Sequence, residues 1–481
     1  MFEKRLLLAL LLVAPLAGCG EDDKDASNDD MGVTGGTPGG GDTPPVGGTP
    51  GGGDTPPVGG TPGGGDTPPV GGTPVEGPIE VSGELTGDVS WPAGAMVTLT
   101  DHVFVKGTLT IGAGAKIFGQ AGTSLVITRE GRINAVGTAA APIVFTSAEP
   151  EGSRTNGDWG GVVLLGNAPI NVDGGEEKIE GFADDETRTA FGGGDAAHNC
   201  GTLEYVRVEF AGFELSPDNE LNGISVGGCG TGTKLDYIQI HKGADDGIEF
   251  FGGTTNVSHL VVTQANDDSV DWDYGWNGLA QFIVIQQSAV DGNNGFEADN
   301  QKDNNDAMPR SMPKIWNATV IGSGVAAGEA GATQAFATLR RGTAGQIHNA
   351  IIAHFADRPY NIADEATVAQ IDADALKLTH SIFFSNAGAN EVAMAPETGD
   401  DDDDGGYDDN LFANDAADMN RFVDPMLEDA LNLDAPNFMV KAGSPALTGG
   451  KTPMAGDTTA TYVGAFGATD WTAGWTAYPA N

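Results

Sequence analysis

The chain has 481 residues and a formal net charge of −45, from 68 acidic and 23 basic side chains. That balance excludes the basic surface that nucleic acid or anionic lipid requires, and leaves multivalent cations, basic partners or solubility in a salty exterior. Glycine, at 74 residues, is about twice its usual share, so tight turns must be frequent.

The first residues read MFEKRLLLALLLVAPLAGCG. Lys4 and Arg5 precede an apolar run, Leu6 to Val13, that is too short to span a bilayer. Residues 1–18 therefore read as a secretory signal. Its end, LAGC, resembles the lipobox of bacterial lipoproteins, which implies that Cys19 is lipidated and becomes the mature N-terminus. No later apolar run reaches about 18 residues, so lipid is the expected membrane attachment. Gly20 stands where some bacteria place an inner-membrane-retaining Asp, which favours the outer membrane and the cell surface. Of three cysteines, Cys19 removed leaves Cys200 and Cys229, an even pair in an oxidising compartment and an expected disulfide.

Residues 19–76 read as a disordered tether. The unit GGTPGGGDTPPV occurs at Gly35, Gly47 and Gly59, and such a composition cannot bury a core. As a coil it would span about 40 Å.

From residue 77 the chain changes to short β-branched runs punctuated by Gly, with no apolar segment of helical period. LDYIQIH, VSHLVVT and LAQFIVI begin at Leu235, Val257 and Leu279, two steps of 22. The turns ADDGIEFFGG and NDDSVDWDYG keep that step, while LEYVRVE at Leu203 precedes Leu235 by 32. NATVI, NAIIA and SIFFS follow at Asn317, Asn349 and Ser381, in steps of 32. Periods above 20 with several short strands each indicate an all-β solenoid, a parallel β-helix, whose coils stack about 4.8 Å apart. The expected body is 77–424 with loop insertions at 171–202 and 396–410, and 425–481 reads as a terminal coil and cap over the last coil's open edge, with an exposed sugar-binding finish as the alternative for its Trp-containing end.

Several blocks resemble a broad family of bacterial surface and secreted lipoproteins with right-handed parallel β-helix bodies and no settled activity. They are PIVFTSA (Pro142), DWGGVVLLGNAPIN (Asp158), ELNGISVGGCGTGTKLDYIQIH (Glu220), DDGIEFFGGTTNVSHLVV (Asp245), DDSVDWDYGWNG (Asp267) and YVGAFGATDWTAGW (Tyr462). The resemblance implies the fold and the surface class, and carries over no catalytic residue.

Strand alternation points Ile248, Phe250, Val270 and Trp272 inward, and Glu249, Asp271, Phe251 and Asp273 outward. Glu297, in NGFEADN, falls on the next coil, which predicts an exposed carboxylate ladder of Glu249, Asp271 and Glu297. Solvation, a shared proton or a Ca²⁺ ion could relieve it, with Asp273, Asn266 and Asn277 as further oxygen donors. Asp245–Asp246 and Asp267–Asp268 read as corner residues bonding backbone N–H groups two residues on.

Tyr274 and Trp276 are candidate sugar platforms, although a β-helix usually buries such rings. Carboxylates about 5 Å apart would also suit a retaining glycosidase, and the double-Asp turn faintly resembles that of polygalacturonases. The GHG and RIK strings of those enzymes are absent, and Arg340–Arg341 reads as an outward pair several coils away. The histidines are scattered singly and read as structural, with His348 and His380 sharing a 32-residue register. The expected function is a lipid-anchored, non-catalytic surface module binding glycan or matrix, with or without Ca²⁺; a polysaccharide-degrading enzyme is the alternative.

Overall fold

The computed structural model describes residues 78–183, 185–216, 219–289, 292–324, 334–355, 359–386 and 403–481. The signal segment, Cys19, the 19–76 tether and residues 396–402 of the second predicted loop lie outside the described residues. Residues 73–481 fall in one unit.

Among the described residues, twenty-five strands join in one sheet whose ladders run parallel from coil to coil. The strands fall into three stacks. One holds Ile111, Ala135, Leu203, Leu235 and Val257 in register. A second aligns Ile143 with Val206, Ile238 and Leu260. The third aligns Val162, Ile224, Ile248, Val270 and Phe296. These residues are all buried and meet in one continuous core. The periodic spacing of apolar residues in the sequence is this stacking seen along the chain. Each coil is too thin to bury its inner face alone, so neighbours must complete it.

The registers refine the sequence expectations. Leu203 pairs with Leu235 and Leu235 with Val257, in the expected steps of 32 and 22. Val257 then pairs with Ala280 rather than Leu279. Ala280 is accordingly buried while Leu279 is half-buried. Likewise Ile351 pairs with Ile382, a step of 31. His348 therefore faces Thr379 and not His380, and its Nδ1 lies 2.8 Å from the Thr379 hydroxyl.

The corner between the first two stacks has a recurring conformation. Tyr205, Tyr237, His259 and Phe282 have φ of 51°, 56°, 51° and 62°, and Asn317, Asn349 and His380 continue the series at 56°, 61° and 56°. Left-handed backbone costs a residue with a side chain about 1–2 kcal/mol. Stacking of the corner rings offsets this: Tyr205 on Tyr237 at 4.3 Å, Tyr237 on His259 at 4.1 Å, His259 on Phe282 at 4.9 Å. At Gly201 the need is steric: φ is +128° and a Cβ would stand 2.0 Å from the Ile133 carbonyl oxygen.

The C-terminal residues differ from the cap expected over the last coil. The core beyond the final coil receives Phe412, 5.4 Å from Tyr360, on the short helix Leu411–Asn414. The segment after residue 425 instead runs back along the outer face of the second stack. Outward polar side chains hold its backbone: Gln286 donates to Ala430 and Asn432, Asn317 to Tyr462, Gln239 to Ala477 and Arg207 to Trp475. Burial lowers the pKa of His241 to about 4, so its neutral ring accepts from Thr263 and donates to the Pro479 carbonyl.

Candidate functional site

The outward positions of the third stack change character along the molecule. Phe104, Val126 and Val163 stand in register on its first rungs, followed by Ser225, Glu249, Asp271, Glu297, Thr338 and Asn361. Ile248, Phe250, Val270 and Trp272 point into the core, as alternation predicts. The carboxylate ladder is therefore real in register.

It is not exposed. Three successive outward apolar residues would leave a greasy strip in water, and residues 166–200 fold over it. This insertion brings Ile170, Ile179, Phe182 and Phe191 against Phe104, Val126 and Val163. It is fastened by the Cys200–Cys229 disulfide at its return and by Asn171, whose amide donates to the Asn300 side chain and carbonyl. The predicted 171–202 loop is thus a cover, and Glu249 lies under its edge, 7 % exposed. Glu180 of the cover forms a side-chain hydrogen bond with Glu249.

The expectation that Asp271 and Asp273 are solvent-facing is corrected in the same way. Both are only half-exposed as residues, and the Oδ1 atom of each is sealed from solvent without a hydrogen-bond partner. Burial, then the neighbouring carboxylates, pushes Glu249, Asp271 and Asp273 well above the usual carboxylate range. Glu180 and Glu297 are pushed up to about 7, again chiefly by burial.

Glu297 belongs to a different arrangement from the rest of its ladder. Arg340 donates to Glu297 and, from Nε, to Asp299 at 2.9 Å, while Arg341 reaches Asp299 at 2.5 Å. The arginines stand three rungs beyond Glu249, as expected, but only one beyond Glu297. Ala298 pairs with Leu339, so a long connection in sequence is a single rung in space.

The second Asp of each double-Asp corner bonds across coils rather than within its own turn. Asn222 Oδ1 accepts from the Asp246 N–H, Asp246 Oδ1 from the Asp268 N–H at 2.9 Å, and Asp268 Oδ1 from the Asn294 N–H at 2.5 Å. Each side chain binds the backbone of the next coil, not that of its own turn. Asp246 and Asp268 are buried. Asn266 and Asn277 take no part in the carboxylate group: Asn266 accepts from Asn156, and Asn277 donates to the Gly275 and Arg310 carbonyls.

Trp276, a candidate platform, is fully buried and stacks on Phe250 at 4.1 Å, with its N–H donated to the Thr255 carbonyl. Tyr274 is half-buried at the rim of the cover, 6.1 Å from Phe251. Trp276 therefore offers no open ring face to a sugar.

An open concave site lies elsewhere, at the aromatic corner. A cleft of about 770 Å³ runs between the first strand stack and the returning C-terminal segment. Tyr237, His259 and Phe282 supply one wall, and Trp471 the other, its ring edge-on to His259 at 5.0 Å. Polar groups on its surface are held in place. Asp236 fixes His259 Nδ1 at 2.8 Å, and Lys234 bridges Glu204 at 2.8 Å and Asp236 at 3.6 Å. Gln281 accepts from the Asp457 N–H at 2.7 Å. Sequence alternation missed this site, although Tyr205, Tyr237 and His259 are the third residues of LEYVRVE, LDYIQIH and VSHLVVT.

Comparison with curated proteins gives no match, and comparison with solved structures gives none either. The family model described as "Pectate-lyase like beta helix domain" matches residues 83–421, most of the chain and nearly all of the stacked coils. Parallel strands stacked coil upon coil, three to a turn, are what that family prescribes, so the chain belongs to the pectate-lyase-like β-helix family and its body is a right-handed parallel β-helix.

Proposed function

We propose that the protein is a lipid-anchored cell-surface module that binds carbohydrate without cleaving it. The family and fold fit a carbohydrate-binding or polysaccharide-degrading role. The observation that carries the binding reading is the corner cleft. Its volume of about 770 Å³ falls among ligand sites, which combine apolar walls with a few fixed polar groups. The partly exposed rings of Tyr237 and Trp471 suit the C–H patches of a sugar, and Lys234, Asp236 and His259 suit its hydroxyls.

The degrading alternative has less support. A retaining glycosidase needs an acid and a nucleophile about 5–5.5 Å apart on either side of an accessible bond. Glu249 and Asp271 have neighbouring places on the ladder, but the cover and sealed oxygens deny a polymer access. In the cleft, Asp236 is engaged by His259 and Lys234, and Asp457 by Thr459.

A glycan array followed by calorimetry tests the reading. The purified body is expected to bind a soluble glycan with no release of reducing ends. Tyr237→Asn, which tolerates the left-handed backbone, and Trp471→Ala should each weaken binding at least about tenfold. Unchanged affinity in both variants, or reducing ends accumulating with the wild type, would overturn it.

The anchor rests on the lipobox resemblance at Cys19. Wild-type full-length protein should partition into the detergent phase, and Cys19→Ser into the aqueous phase. Equal partitioning of the two would remove the anchor from the proposal.

A further inference from the structure

We propose that the corner cleft selects glycans that carry free amino groups, chains of 2-amino sugars, over N-acetylated or uronic-acid chains. The inference rests on the carbohydrate-binding reading and adds the charge of the sugar. It comes from the ionic groups around the cleft. Among the described residues that line it, Lys234 is the only lysine or arginine. Its ammonium is already shared between Glu204 at 2.8 Å and Asp236 at 3.6 Å, two carboxylates for one cation. An incoming carboxylate therefore finds no uncommitted lysine or arginine there, and meets the field of a chain whose net charge is −45.

Two carboxylates are placed to receive an ammonium. Asp236, Ser258 and Gln281 occupy one position on three successive rungs, so the first and third stand roughly 10 Å apart. Asp236 is half-buried at one end, where His259 Nδ1 holds it at 2.8 Å. At the other end the buried Gln281 accepts the Asp457 N–H at 2.7 Å, which brings the exposed Asp457 to the cleft. Asp457 Oδ1 takes the Thr459 hydroxyl at 2.6 Å and the Thr459 N–H at 2.9 Å. These bonds hold the Asp457 carboxyl below the usual carboxylate range, so it is ionised wherever a sugar amine is protonated.

The rung between the two ends carries Ser258 and His259, and Trp471 stands 5.0 Å from the His259 ring. A sugar ring lying there rests its C–H patch on Trp471 and Tyr237 while amines on the chain meet Asp236 and Asp457. N-acetylation removes that charge, and a carboxylate in its place meets like charge at both ends. A lysine-rich peptide offers the same cation without the flat C–H surface that the rings suit.

Calorimetry on the purified chain compares glucosamine, N-acetylglucosamine and galacturonate oligomers of equal length, with oligolysine as a control. At about pH 6 ordinary amines are protonated and ordinary carboxylates ionised. The glucosamine oligomer should bind about tenfold more tightly than the acetylated one, the combined effect of two partly exposed ion pairs worth about threefold each. Galacturonate should give no saturable heat, and added salt should narrow the gap. Asp457→Asn should cut the preference about threefold, and Lys234→Gln should widen it by removing the competing cation. Both side chains are exposed, so the variants should fold. Equal affinity for the amino and acetylated oligomers, or tighter binding of galacturonate, overturns the preference while carbohydrate binding stands. A preference unchanged in both variants overturns it as an effect of these carboxylates. Oligolysine bound as tightly as the glucosamine oligomer would show that charge alone is read, and overturns it too. If the glucosamine oligomer does not bind, the preference falls, and the glycan array then decides carbohydrate binding independently.

Discussion

Replacing Arg340 by Ala is expected to destabilise the protein by about 3 kcal/mol at pH 8, the lower end of what breaking a buried ion pair costs. The side chain is 26 % exposed and donates to both Glu297 and Asp299. Asp299 keeps Arg341 in the variant, but Glu297 loses its cation. The effect should depend on pH with a definite sign. Burial already raises Glu297 from 4.5 to about 7. A carboxyl raised in the folded state favours folding below its ordinary range, and that contribution is lost as pH rises through the folded value. Removing Arg340 raises the folded value further, so the defect should be smaller at pH 5, where Glu297 is protonated, and larger at pH 8 by up to about 1.4 kcal/mol, the equivalent of the one pH unit between 7 and 8. Urea denaturation of wild type, Arg340→Ala and Arg340→Met at the two pH values measures it. Equal defects for Arg340→Ala at pH 5 and pH 8 would show that Glu297 is not the group left uncompensated.

Much of this acidic face was legible in the sequence because stacking converts spacing into contact. The step of 22 from Glu249 to Asp271 and the inward direction of Val270 and Trp272 follow from register and alternation alone. Alternation says which way a side chain points, however, and not what lies over it. The cover was readable only by noticing that Phe104, Val126 and Val163 point outward on consecutive rungs and must be shielded by something. Single-residue slips, as at Ala280 and Ile382, escape a motif search because LAQFIVI and SIFFS look alike in either register. Such a slip moves a strand's side chains to the other face. The aromatic corner escaped for a related reason. Left-handed residues interrupt the period of two, so Tyr237 and His259 belong to neither face of a regular strand.

Replacing Trp276 by Ala is expected to cost about 3–5 kcal/mol, as for other fully buried aromatic rings. The indole is completely buried, stacked within 6° of parallel on Phe250, and 5.9 Å from Trp272. Truncation leaves a cavity between coils and also leaves the Thr255 carbonyl without the indole N–H that it accepts at 3.0 Å. Trp276→Phe keeps part of the stack but loses that hydrogen bond and the larger volume of the indole, so its cost should be about 1–3 kcal/mol, below that of Trp276→Ala. Denaturant midpoints for the pair separate the two contributions. The comparison also discriminates between a core ring and a sugar platform. A platform residue would weaken glycan binding and leave the midpoint alone, whereas a core residue lowers the midpoint and leaves the affinity of the folded fraction unchanged. Because each coil touches mainly its neighbours, hydrogen exchange in the Ala variant should accelerate first in strands Ile248–Phe251, Val270–Asp273 and Asn294–Ala298. A uniform acceleration from the first coil to the last would mean that the solenoid unfolds as one cooperative unit, and the energy of this single stacked ring would then be shared by the whole body.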